Sequence, residues 1–192
     1  MMQARLDRGD ALMPSADRGP LGLYLHIPFC EAICNYCNFN RGLLDGARKQ
    51  RYLHALGREI DTCADLGSVD TLFFGGGTPS YLSVDQLKYL TDGMKALLPW
   101  DEVEEVTFEC EPGTLSDDKL QSIRDLGVTR LSLGVENFDD HILETNGRAH
   151  RSKEVGRAYE FARTACFPQI NIDLIAGMLE ETEDNWKECV AK

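Results

Sequence analysis

Three cysteines lie close together near the start of the chain, and their spacing is typical of a metal centre. Cys30, Cys34 and Cys37 form a Cys-x3-Cys-x2-Cys pattern directly after a short apolar run. Three thiolates on one loop can hold a cubane iron–sulfur cluster by three of its irons, which leaves the fourth iron open for a ligand that is not protein. A zinc site would require a fourth protein ligand, for which His26 is the nearby candidate, and a disulfide would leave one thiol over. The pattern favours an iron–sulfur cluster, with a structural zinc-binding module as the alternative from another class of protein.

Polar or glycine-rich stretches follow four further apolar runs. Gly76 and Gly77 have no side chains to block the close approach of a ligand. Glu109 and Asp173 each share a strand face with a polar residue two positions earlier, because side chains alternate along a strand. The carboxyl ends of parallel strands meet at one rim, where ligand sites of α/β folds gather. We therefore expect these stretches to form one site with the cysteine loop: residues 75–80, 107–113, 134–138 and 171–177.

The elements that position these residues alternate along the chain. Short apolar runs predict strands over residues 21–27, 69–74, 103–109, 130–135 and 169–175. Amphipathic stretches predict helices over residues 48–64, after Ser83, over 116–126 and over 183–192. Ser83 and Gln86 predict a capping box, and Gly127 predicts a helix end. The alternation indicates a parallel sheet with strands buried on both faces, in a β/α barrel or a doubly wound fold.

The composition excludes some functions. The 192-residue chain carries a net charge of −12, which argues against binding to nucleic acid or to anionic membrane surfaces. No apolar stretch is long enough to span a bilayer, and residues 1–20 are too charged for a signal peptide, so we expect a cytoplasmic protein. The size fits one domain, with residues 1–19 as a mobile leader. We interpret the remaining cysteines as buried apolar residues of a reduced protein: Cys63, Cys110, Cys166 and Cys189.

The ordered motifs resemble those of a known family. The Cys-x3-Cys-x2-Cys loop after a Tyr24-x-His26-x-Pro-Phe strand looks like the radical S-adenosylmethionine (SAM) superfamily, and more narrowly its oxygen-independent coproporphyrinogen III oxidases and haem chaperones. The resemblance extends over residues 21–192. It implies a partial radical SAM (β/α) barrel with about five of six β/α units, and residues 20–192 as a truncated radical SAM core domain.

The resemblance also implies the cofactors. Cys30, Cys34 and Cys37 would ligate a [4Fe–4S] cluster, with SAM on its open iron. Reductive cleavage of SAM would then give a 5′-deoxyadenosyl radical, with electrons from a flavodoxin- or ferredoxin-like donor. From this activity we expect an enzyme of oxidoreductase type. Its expected small-molecule partner is a tetrapyrrole or haem.

Further residues match family positions that contact SAM. Tyr36 matches the aromatic on the adenine, and Tyr24 one near the methionyl group. Glu109 matches the ribose-binding glutamate, and Glu136 stands where the family usually has glutamine. Two such carboxylates near one ribose would raise one pKa unless a cation compensates. Arg148 matches the family arginine that meets the substrate carboxylate. Gly76, Gly77 and Thr78 match the residues that line the methionyl group, and Asp173 matches a cofactor-binding aspartate.

One residue separates the branches of this family. Its coproporphyrinogen dehydrogenases carry a fourth cysteine two residues after the third, where Phe39 stands here, as in the haem chaperones. The first hypothesis is therefore a radical SAM protein of haem metabolism similar to the haem chaperones. The second is the coproporphyrinogen dehydrogenase or a related tetrapyrrole-modifying enzyme.

The last part of the sequence predicts the beginning of a fifth helix, at residues 183–192. The family has a sixth β/α unit and then a C-terminal domain. An edge strand left open would expose unpaired backbone and apolar surface. We therefore expect the chain to be a fragment or to require a partner. The residues after Gly177 also lack the family's usual proline and glutamine.

Overall fold

The structure, a computed structural model, describes residues 19–43, 46–62 and 68–192. The predicted leader, apart from Gly19, and Cys63 lie outside the described residues. Five parallel strands form one sheet in these ranges, in the order β1-β2-β3-β4-β5. The strands are β1 (Gly22–Ile27), β2 (Thr71–Gly76), β3 (Glu105–Cys110), β4 (Arg130–Glu136) and β5 (Gln169–Leu174).

The strand order decides between the two architectures that the sequence left open. Each strand pairs with the next one along the chain, and the order never reverses as it does in a doubly wound sheet. Successive crossovers of one hand then place the helices on one side of the sheet. The fold is a partial β/α barrel, and β1 and β5 are the edge strands of the described sheet.

Helices occupy the connections between the strands. They are α1 (Gly46–Asp61), α2 (Val84–Leu97), α3 (Asp117–Asp125), α4 (Asp140–Thr145), α5 (Ser152–Thr164) and α6 (Glu183–Ala191). The predicted capping box begins α2: the Gln86 N–H donates to Ser83 Oγ over 3.2 Å, and the Ser83 N–H donates to Gln86 Oε1 over 3.0 Å. Gly127 follows α3 with a φ of +98°, as predicted for a helix end.

The two faces of the sheet differ in chemistry. The apolar core lies on the helix side, where Leu72, Phe74, Phe108 and Leu131 are almost fully buried. The other face carries polar residues, and its burial differs between strands. The prediction of strands buried on both faces is confirmed for β3 and β4, where the inner-face Thr107 and Ser132 are buried, and is wrong for β5, which has no buried residue. Side-chain alternation within each strand explains how an apolar run supplies the core while every second position faces the inside of the barrel.

Two of the isolated cysteines are buried as predicted, and one is not. Cys110 and Cys189 are buried, whereas Cys166 is exposed. Cys166 follows α5 with a φ of +57°, so its backbone turns away from the helix there. The interpretation of Cys166 as a core residue is therefore wrong.

Candidate functional site

The cysteine loop begins where β1 ends and is closed at its base by backbone pairing. The Gly42 N–H donates to the Pro28 carbonyl over 3.0 Å, and the Cys30 N–H donates to the Gly42 carbonyl over 3.2 Å. Within the loop the Cys37 N–H donates to the Cys34 carbonyl over 3.3 Å. Cys30 is buried, and the other two thiols are half-buried. The three thiols are thus held on a closed loop at the carboxyl edge of the sheet.

All three thiols line one cavity of about 560 Å³ on the inner face of the sheet. Residues from β2 to β5 and from the loops that follow them line the same cavity, as the convergence of strand ends predicts. Among the predicted site residues it is lined by Cys30, Cys34, Tyr36, Cys37, Gly76, Gly77, Thr78, Glu109, Glu136, Arg148 and Asp173. Tyr24 is outside this set: it is 53% exposed, and its ring stacks on Phe73 at 5.7 Å.

Gly76 and Gly77 bring bare backbone against the cysteine loop. A Cβ at Gly77 would lie 2.8 Å from Cys30 Sγ and 2.9 Å from the Phe29 carbonyl oxygen, closer than real Cβ contacts allow. Gly76 has a φ of +121°, a conformation that other residues rarely adopt. Only glycine therefore fits without strain at these two positions, where the end of β2 contacts the Cys30 thiol.

Carboxylates from two strands approach the cavity. Glu109 Oε2 accepts the Gly76 N–H over 3.0 Å, and burial, together with the Asp173 charge, raises the pKa of Glu109. Asp173 accepts from Ser132 Oγ over 2.6 Å and from Asn171 Nδ2 over 2.6 Å. The sequence predicted a buried polar face on β5, and this is wrong for Asp173, which is exposed on the edge strand.

Arg148 links the cysteine loop to the end of β4. Its Nη1 lies 3.5 Å from Cys34 Sγ and 3.7 Å from Glu136 Oε1, and its Nη2 donates to the Gly134 carbonyl over 2.6 Å. Glu136 holds a φ of +66°, a left-handed conformation that costs free energy for a residue with a Cβ. Burial raises the pKa of Glu136 although the Arg148 charge opposes the rise. The sequence predicted that a cation would have to compensate the carboxylates of Glu109 and Glu136. Arg148 is such a cation and lies beside Glu136.

Glu111 is not the solvated residue that its position before a proline suggested. Its side chain is 11% exposed, and its Oε1 lies 2.6 Å from Nδ1 of the fully buried His150. His150 Nε2 lies 3.1 Å from the Val135 carbonyl oxygen. Burial alone would raise the pKa of Glu111, but the hydrogen bond and charge of His150, with the Arg148 charge and the Thr114 N–H, lower it. This pair fixes the segment that carries Arg148.

The donor set fits an iron–sulfur cluster with a further anionic ligand. Three thiols supply the soft ligands, and Arg148 Nε is a buried N–H with no acceptor among the described residues. Both ring nitrogens of His26 have hydrogen-bond partners: Nε2 lies 2.7 Å from the Asn40 carbonyl oxygen, and Nδ1 lies 3.3 Å from the Tyr24 hydroxyl oxygen. No three His, Cys, Asp or Glu side chains of the described ranges are close enough to hold a single metal ion. A cubane spreads its ligands over separate irons and makes no such demand.

A family comparison decides the class of protein. The model of the radical SAM superfamily matches residues 24–192. The chain belongs to the radical SAM superfamily. Membership implies a [4Fe–4S] cluster and SAM as cofactors.

Individual radical SAM proteins are similar over much of the chain. The haem chaperone HemW of Bacillus subtilis is 44% identical over 163 residues, which is 83% of this chain and 43% of that protein. The oxygen-independent coproporphyrinogen III oxidase of Pseudomonas aeruginosa is 36% identical over 192 residues, with 96% and 42% covered. The structure of coproporphyrinogen III oxidase HemN from Escherichia coli superposes with a TM-score of 0.82 at 31% identity, covering 90% of this chain and 41% of that one. The chain thus spans less than half the length of these relatives.

Some residues in and around this cavity were not predicted from the sequence. Ser132 bonds Asp173, and its position two residues before Gly134 placed it on the same strand face. Arg41 lines the cavity four residues after the last cysteine, and no periodicity marked it. His150 reaches Glu111 across 39 residues of sequence, a pairing that only the fold brings about. No helix among the described residues is long and apolar enough to cross a membrane.

Proposed function

We propose that this chain is the SAM-binding part of a radical SAM protein of haem metabolism, functionally similar to the haem chaperones. The observation that carries the proposal is the meeting of three thiols, bare glycine backbone and Arg148 at one cavity. The 44% identity to the haem chaperone HemW of Bacillus subtilis and the exposed Phe39, where the dehydrogenases have a fourth cysteine, support the chaperone branch. We assign residues 20–192 to one core domain, in a cytoplasmic protein.

In this proposal Cys30, Cys34 and Cys37 ligate the cluster, and the strand ends hold SAM. Gly76, Gly77 and Thr78 line the methionyl group, with backbone that is open to a ligand. When bound, the reduced cluster supplies the electron for cleavage of SAM. The other positions take their family roles: the adenine against Tyr36, the ribose at Glu109 and Glu136, a carboxylate at Arg148, and further cofactor contacts at Tyr24 and Asp173.

The local electrostatics suit an anionic ligand more than a cationic one at the Cys34 end. Arg148 is 11% exposed, so its charge is only weakly screened by water. Its buried Nε has no acceptor among the described residues, and an unmet buried donor costs about 1–3 kcal/mol. A carboxylate that accepts this N–H would recover that free energy. Glu109 and Asp173, on β3 and β5, line the same cavity and would supply negative charge for the sulfonium of SAM.

A second candidate function is oxidative decarboxylation of coproporphyrinogen III. It is supported by the Pseudomonas aeruginosa oxidase, which matches 96% of this chain, and by the HemN structure, which superposes with a TM-score of 0.82. Both candidates use the same cluster and SAM and accept electrons from a flavodoxin- or ferredoxin-like donor. They differ in what happens to the tetrapyrrole, which is bound intact by a chaperone and converted by an oxidase.

Haem titration and a decarboxylation assay on the anaerobically reconstituted chain separate these candidates. We expect saturable haem binding, followed by the Soret absorbance, and unconverted coproporphyrinogen III in the presence of SAM and reductant. The matched control is Cys166→Ala, because an exposed free thiol can bind haem nonspecifically, and binding should persist in this variant. Decarboxylated product would instead favour the oxidase, and neither binding nor conversion would contradict both candidates.

A further inference from the structure

Arg41 precedes Gly42, whose backbone pairing closes the cysteine loop, and its side chain lies against this loop. Gly42 pairs with Phe29 in a parallel bridge, and this pairing sets Arg41 beside the loop. Arg41 Nη2 donates to the Cys34 carbonyl over 3.2 Å and also to the Cys37 carbonyl. One guanidinium therefore holds the backbone next to two of the three thiols.

Arg41 has hydrogen-bonding capacity beyond these two carbonyls. Arg41 lines the cavity together with Cys30, Cys34 and Cys37. Its Nε is buried and has no acceptor among the residues that the structure describes. A buried donor without an acceptor is costly, and guanidinium donors stay charged at any working pH. Sulfur atoms bound to iron are acceptors, and hydrogen bonds to them are among the factors that set the reduction potential of a cluster.

We propose that Arg41 is a positioning residue that tunes the cluster, by holding the Cys34 and Cys37 carbonyls and by donating its buried Nε–H to a cluster sulfur. This inference rests on the proposed cluster ligation by the three cysteines. A fixed positive charge and a donated hydrogen bond both stabilise the reduced form, which carries one more negative charge than the oxidised form. Arg41 therefore raises the reduction potential and makes the cluster easier to reduce.

The test is an anaerobic redox titration of the reconstituted full chain, followed by the electron paramagnetic resonance signal of the reduced cluster. Arg41→Met removes the charge and the donor. Loss of one neighbouring positive charge and one donated hydrogen bond predicts a ratio of reduced to oxidised cluster about tenfold lower at the wild-type midpoint, or about 59 mV for a one-electron couple. Arg41→Lys keeps the charge without the Nε–H and is expected to shift less, in the same direction. Arg163→Met, at an exposed position on α5, should leave the potential unchanged.

A folding role alone would change cluster loading but not the potential of the clusters that form. An Arg41→Met protein that loads iron and sulfide and keeps the wild-type potential would overturn the inference while leaving the proposed function intact. If Arg41→Met does not fold or load, Arg41→Lys decides: a lowered potential supports the inference, and a wild-type potential overturns it. A wild-type chain that takes up no iron and sulfide would overturn the proposed function itself, and the inference with it.

Discussion

Replacing Cys34 by alanine is expected to reduce iron and sulfide in the anaerobically reconstituted chain to near background. Cys34 is the central thiol of the loop and the one in contact with Arg148. With one thiolate missing, two irons of a cubane would lack protein ligands. His26 is no ready substitute, because both of its ring nitrogens are hydrogen-bonded. The measurement is colorimetric iron and acid-labile sulfide per chain, with the visible absorption spectrum.

The control for this prediction is the exposed cysteine outside the loop. Cys166→Ala removes a thiol that lies away from the cavity lining and should load like the wild type. The alanine at position 34 should leave the fold intact, because Cys34 is half-buried and the backbone hydrogen bond from the Cys37 N–H to its carbonyl remains. Equal iron and sulfide in Cys34→Ala and wild type would show that the thiols of this loop do not carry the cluster.

The second large effect is expected from Glu111→Ala, which we predict lowers the free energy of unfolding by about 3–5 kcal/mol at pH 7. Glu111 is the buried partner of His150 and also accepts the Thr114 N–H over 2.9 Å. Its removal leaves Nδ1 of the fully buried His150 without an acceptor, while Nε2 keeps the Val135 carbonyl, and it leaves a turn without its side-chain cap. The exposed Glu188→Ala on α6 is the matched control and should change stability by less than about 0.5 kcal/mol.

The stabilisation by Glu111 is expected to depend on pH in a definite direction. The pKa of Glu111 is lowered in the folded chain, so its contribution is present above the usual carboxyl pKa of about 4.3 and is lost as the pH falls through the folded value. The stability difference between wild type and Glu111→Ala, measured by urea denaturation, should therefore shrink as the pH is lowered below about 4.3. A difference that stays constant or grows in acid would contradict the assignment of Glu111 as an ionised partner.

Much of the fold could be predicted because each strand repeats one simple pattern. The predicted strand starts and ends lie within about two residues of those observed, with the largest deviation at β2. Asp70, which the apolar run included, precedes this strand, and its carboxylate accepts the Leu21 N–H. Alternation also placed Glu109 correctly on the inner face, opposite the buried Phe108.

The rest depended on contacts that no local pattern encodes. Glu111 and His150 lie on different loops and pair only in the folded chain. Arg41 is held beside the cysteine loop by the backbone bridge between Gly42 and Phe29. Tyr24 lies on the same strand face as His26, and its ring stacks on Phe73, so Phe73 and not Tyr24 lines the cavity there. Asp173 is exposed because β5 is an edge strand, and strand polarity alone cannot distinguish an edge from an interior position.

The most direct test of the central claim is quantification of 5′-deoxyadenosine after anaerobic reconstitution with iron and sulfide, reduction, and addition of SAM. We predict 5′-deoxyadenosine from the wild-type chain and from Cys166→Ala, and none above background from Cys34→Ala. A wild-type chain that carries a reducible cluster but releases no 5′-deoxyadenosine would contradict SAM cleavage by this site, and a chain that binds zinc in place of iron and sulfide would contradict the cluster itself.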